Sequence, residues 1–134
     1  MKSIIKNILL LFTISLFISC SSYGDKEEFN GTEVYYKDGT TKEEAKKLGG
    51  FLVRSEFADG NPKSVQIVKN EETGNYVFRM VTNEKAQTNK TYEILFKALA
   101  MQVSDSVFNG EPVDFDVCNN LFETVKTLEF AGTK

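Results

Sequence analysis

The stretch at 107–117, VFNGEPVDFDV, constrains the chain most, because 57–67, FADGNPKSVQI, repeats it without a gap. Gly60 aligns with Gly110, Pro62 with Pro112, Val65 with Phe115 and Ile67 with Val117. The chain has 2 prolines, and both fall in this register. Glycine stops a helix because it accepts a left-handed backbone without cost, and proline cannot continue one. Each copy follows an apolar helical pattern and precedes a strand pattern, so the phrase reads twice as helix, Gly stop, Pro, strand. This predicts two helix–hairpin units, packed about a pseudo-twofold if the unit is an internal duplication. The alternative is convergence of two helix-to-strand junctions on Gly-x-Pro by turn chemistry alone. Two copies are too few for a solenoid.

The remaining elements follow from periodicity. Residues 33–36 (EVYY) form a short strand ending in the turn 37–39. Thr41 and Glu44 fit a capping box, in which the hydroxyl accepts a backbone N–H and the carboxylate reaches back. The first helix then spans 42–55, with Ala45, Leu48, Phe51 and Leu52 on one face. Gly49 and Gly50 inside it each cost about 1 kcal/mol relative to Ala, which predicts a helix backbone pressed against the sheet, or approached by a ligand. Strands at 63–69 and 76–82 flank the turn 71–75, and 83–90 reads as a polar connection without core residues. A second helix spans 91–106, where Tyr92, Leu95, Phe96, Leu99, Val103 and Val107 form a stripe widened by Ile94, Ala98 and Met101. So broad a face predicts a deeply packed helix at the centre of the core, rather than a membrane-surface helix, which would be rich in Lys and Arg. Residues 113–118 alternate, with Asp114, Asp116 and Cys118 outward, and 124–130 completes the sheet. The order β-α-β-β-α-β-β predicts an α+β two-layer sandwich, a mostly antiparallel sheet with both helices on one face. At 134 residues it is one domain, placed at 32–134.

The leader is of a different kind. Lys2 and Lys6 precede the apolar run 8–18, which is too short to span a hydrocarbon core of about 20 helical residues. The sequence Leu16-Phe17-Ile18-Ser19-Cys20 resembles the lipobox of bacterial lipoproteins. The resemblance implies a signal peptide at 1–19, cleavage after Ser19 and acylation of Cys20, hence a membrane anchor in the cell envelope. Ser21 after the cysteine favours the outer membrane where that sorting rule operates. Residues 20–31 then form the lipidated cysteine and a polar tether, whose Lys26-Glu27-Glu28 looks like the acidic export signal of some Bacteroidota lipoproteins. With Cys20 acylated, Cys118 has no partner for an internal disulfide and is expected to pack as a small apolar residue.

Several function classes are excluded or disfavoured. The net charge is −3, and loss of Lys2 and Lys6 with the leader takes it to about −5, which argues against nucleic acid. There are 0 histidines, so Ser–His and Cys–His nucleophile pairs and His metal ligands are absent. No phosphate-binding loop, dinucleotide fingerprint or zinc spacing is present, and neither a cofactor nor a metal is expected. Asp114 and Asp116, with Glu129 nearby, could serve as paired carboxylates, but a solvated sheet face is the plainer reading. Asp105-Ser106-Val107 looks like the Asp-Ser-aliphatic site that some Bacteroidota O-glycosylate, here at a helix end. The segment from Glu33 to Glu129, EVYYKDGTTKEEAKKLGGFLV and the Gly-turn after it, resembles a family of small exported bacterial proteins, a likeness that implies the domain and no particular activity. The expectation is a membrane-anchored, non-catalytic binding or accessory module with a protein partner. Its candidate contacts on the open sheet face and near the tyrosine pair are Tyr35, Tyr36, Arg79, Asp114 and Asp116. A periplasmic inhibitor or immunity-type protein, and a small-ligand carrier with a pocket between sheet and second helix, are the alternatives.

Overall fold

The computed structural model describes residues 22–132. The leader and Cys20 lie outside the described residues. Six strands form one sheet in chain order: β1 (Asp25–Phe29), β2 (Thr32–Tyr36), β3 (Lys63–Lys69), β4 (Tyr76–Val81), β5 (Val113–Cys118) and β6 (Thr124–Leu128). Helix α1 (Lys42–Arg54) connects β2 to β3, while α2 (Glu84–Thr88) and α3 (Lys90–Val107) connect β4 to β5. The fold is the expected α+β sandwich. Three pairings are antiparallel, and β2–β3 and β4–β5 are parallel, as crossover helices require.

Two segments differ from the sequence reading. Asp25–Phe29, expected as tether, is edge strand β1, because Phe29 packs against the core and gives the segment a reason to pair. Its charges are what an exposed edge needs to resist further pairing. The connection at 83–90 contains a short helix, because Asn83 and Asn89 each cap a helix by accepting a backbone N–H, from Ala86 and Thr91. Ala86 packs on the core.

The core lies between the sheet and the helices. Val34, Val65, Ile67, Phe78, Val113, Phe115 and Val117 face Leu48, Leu52, Phe96 and Val103. Phe96 stacks on Phe115 with centroids 4.7 Å apart, joining α3 to β5 across the core. Thr41 and Glu44 form the capping box as expected. Gly49 presses on β1: a Cβ there would come within 2.2 Å of the Phe29 ring. Gly50 meets only the far end of Arg54.

Gly60 and Gly110 both take positive φ, +92° and +84°, and each lies three residues before a strand. The copies share only this spacing, because α1 ends at Arg54 and Gly60 N donates to Asn30 O, whereas α3 runs to Val107 and Gly110 N caps it at Ser104 O. The pseudo-twofold does not follow. Strands β2 and β3 run opposite to β4 and β5, yet both crossovers advance one strand in the same direction with their helices on one face. The two crossovers therefore have opposite hands, and one is the left-handed form that makes up only about 2% of such connections. No rotation superposes the two units, so Gly-x-Pro acts here as turn chemistry.

Candidate functional site

Strand pairing places six side chains on one line across the helix-free face: Lys26, Tyr35, Gln66, Arg79, Asp116 and Thr127, one from each strand. Three sequence candidates, Tyr35, Arg79 and Asp116, lie on this rung. Arg79 is its centre. Its guanidinium donates to Gln66 Oε1 at 2.5 Å, Asp116 Oδ2 at 3.3 Å, Phe122 O at 2.7 Å and Thr124 Oγ1 at 3.0 Å. Asp116 also accepts from the Thr124 hydroxyl at 3.1 Å and the Thr127 hydroxyl at 2.8 Å. Arg79 and Asp116 retain only 16% and 13% of their side-chain exposure, so Arg79 is not the solvated residue that its place between Val77 and Val81 suggests.

The rung is covered. Tyr23, Tyr35 and Phe122 form a mutual aromatic cluster, with centroids 5.1 to 5.7 Å apart, and the Phe122 ring faces the guanidinium at 6.0 Å. Gln66 Nε2 donates to the Tyr23 carbonyl at 2.9 Å, so a buried amide ties strand β3 to the segment before β1. At the rim, Lys26 and the Tyr35 hydroxyl both donate to Glu33 Oε2. The hydrogen bond from Lys26 is the main reason the Glu33 carboxyl is held below its usual pKa. The loop at 119–123 is shaped by Asn119, whose Oδ1 accepts from Leu121 N and Glu123 N. Phe122 takes a left-handed backbone, φ 56°, which turns its ring inward and leaves Leu121 exposed.

The other candidates fall elsewhere. Asp114 shares the face of Asp116 but is buried, accepting from Phe130 N at 2.9 Å and Asn75 Nδ2 at 3.3 Å. The two aspartates thus serve separate structural tasks and do not form a carboxylate pair. Tyr36 points to the helix side and packs on the core, because successive strand residues alternate faces. Cys118 is fully buried and free, and burial pushes its thiol pKa up, which makes it a poor nucleophile. The sequence reading missed Tyr23, Gln66, Phe122 and the two threonines. The available signal was an Arg and an Asp on neighbouring strands, each on its strand's outward face.

The largest departure concerns α3. Phe96, Ala100, Val103, Ser104 and Val107 are buried, but Ile94, Leu95 and Met101 are 68%, 57% and 41% exposed. The broad stripe is two faces, one in the core and one in solvent. Lys90, Glu93, Lys97 and Asp105 give the same helix mixed charge. Among the described residues, no helix is long and apolar enough to cross a membrane, and no group of three or more His, Cys, Asp or Glu is placed to hold a metal ion.

A family model described as a family N-terminal domain matches residues 26–129, which takes in both helix–hairpin units and all but the first residue of β1. No curated protein matches the chain, and no solved structure does. The matched region is most of the chain and coincides with the folded sandwich, so the protein belongs to this N-terminal domain family.

Proposed function

We propose that the protein is a membrane-anchored lipoprotein of the bacterial outer membrane that acts without catalysis, as a binding or accessory module for a protein partner. The anchor reading rests on the lipobox-like sequence ending at Cys20. The non-catalytic reading draws support from the sheet face, where Arg79, Asp114 and Asp116 are each engaged by internal hydrogen bonds.

The observation that carries the binding reading is the outer face of α3. Ile94, Ala98 and Met101, four and three residues apart on one side, expose apolar surface that the core does not use. A contiguous exposed apolar patch on a folded domain marks an interaction site. The mixed charges around it suit a protein surface better than lipid, since membrane-surface helices carry mostly Lys and Arg. Crosslinking in intact cells followed by capture of the acylated protein tests the reading. One partner should be recovered in near-equal amount with the wild type, lost with an I94K/M101K variant, and retained with the control E72K. Absence of a partner, or equal recovery with I94K/M101K, would show the reading to be wrong.

A further inference from the structure

We infer that the anchor at Cys20 holds the domain in one orientation, with the 119–123 loop and its exposed Leu121 against the lipid bilayer and the outer face of α3 turned away from it. The inference rests on the proposed acylation of Cys20. Its other support is how the chain at 22–24 is held against the sheet. Lys37 Nζ donates to Ser22 O at 3.0 Å, Gln66 Nε2 donates to Tyr23 O at 2.9 Å, and the Tyr23 hydroxyl donates to Leu121 O at 3.4 Å. Gly24 fixes the direction, with φ +88° and a backbone so close to β2 that a Cβ would lie 2.4 Å from Tyr36 O. From Tyr23 onward the chain is therefore part of the sandwich, and the polar tether is far shorter than its composition suggests.

Only three peptide units separate Cys20 from Tyr23, at most about 11 Å fully extended. A domain of this size is about 34 Å across, from a radius of gyration of about 13 Å. So short a leash keeps Tyr23 near the headgroups and does not let the domain turn over. Leu121 is one tyrosine side chain from the Tyr23 backbone, and it is 59% exposed because the Asn119 turn directs Phe122 inward instead. Ile94, at 68% exposure, lies beyond the helix layer on the opposite side of the sheet. Apolar side chains held at a bilayer surface enter the boundary region to about 5–10 Å.

The chain contains 0 tryptophans, so single-Trp variants report one site each. Mature acylated L121W and I94W are reconstituted into phosphatidylcholine vesicles with and without brominated acyl chains, and vesicle flotation and mass are measured on the same samples. Both should float. Brominated lipid should lower L121W emission about twofold and leave I94W unchanged, as expected for one ring at the acyl boundary and one outside it. Flotation with L121W unquenched, or with I94W quenched more strongly, overturns the orientation and leaves the anchor intact. Protein of unacylated mass that fails to float overturns the anchor, and the orientation with it.

Discussion

Replacing Arg79 with Met keeps the length of the apolar stem and removes the guanidinium, so it isolates the rung's polar contacts. Four hydrogen bonds disappear, and Gln66 Oε1 and Phe122 O lose these donors beneath an aromatic cover. Asp116 keeps its two threonine donors but loses its counter-charge. Removing one partner of a fully buried ion pair costs about 3–5 kcal/mol. The slight exposure of both side chains and the surviving hydroxyl donors place this case at the lower end, about 3 kcal/mol. With an unfolding entropy of about 2.1 cal/mol/K per residue over some 110 ordered residues, the melting temperature should fall by about 13 °C. Thermal unfolding followed by circular dichroism measures this directly. A cycle with D116N should show coupling of about 1 kcal/mol or more, with the double variant losing less than the sum of the singles. A shift below about 3 °C with additive singles would refute the argument. It would mean that the guanidinium is solvated and that Arg79 is free to serve as a contact, as its sequence context implies.

The neighbouring glycines of α1 should respond in opposite directions. Gly49→Ala places a Cβ against the Phe29 ring and should destabilise by about 1–3 kcal/mol, whereas Gly50→Ala has room and should stabilise by up to about 1 kcal/mol, both read by denaturant unfolding. Tyr76 donates to Glu44 at 2.5 Å, and that bond to a carboxylate pushes its hydroxyl pKa up to about 12. Because the folded-state pKa is raised, the stabilisation is present below pH 10 and is lost as pH climbs toward 12. In absorbance titration Tyr76 should ionise last of the 5 tyrosines, after Tyr36, whose pKa is also raised, chiefly by burial, and Y76F should remove that last step. Thr32 Oγ1 is buried without a hydrogen-bond partner among the described residues, so Thr32→Val should raise stability by about 1 kcal/mol; a loss would point to a hidden partner.

What could be read in the sequence was whatever local chemistry decides. The capping box at Thr41 and Glu44 and the Gly stop at 110 need no distant partner, and each is found where expected, whereas Gly60 serves the β1–β2 turn and the outward Asp114 and Cys118 are buried. Strand β1 escaped notice because five mostly charged residues look like tether until Phe29 finds Gly49 in α1. Register was also invisible. Nothing local says that Arg79 faces Gln66 on one side and Asp116 on the other, and a one-residue slip of any of these strands would send its member to the core. Helix α3 misled for a related reason. Its apolar residues are numerous enough to imply burial all round, but a two-layer sandwich covers a helix on one side only. The surplus on the other side has no role in folding this domain, and in water it is a liability unless something covers it. If Cys20 is acylated as proposed, the fold and the anchor divide the molecule's surface between them. The sheet face is closed by Tyr23 and Phe122 on the side from which the chain enters, and the apolar surplus lies on the side away from it. On that proposal a partner reaching the domain from beyond the membrane would meet α3 first, so the outer face of that helix is where selection for binding would act.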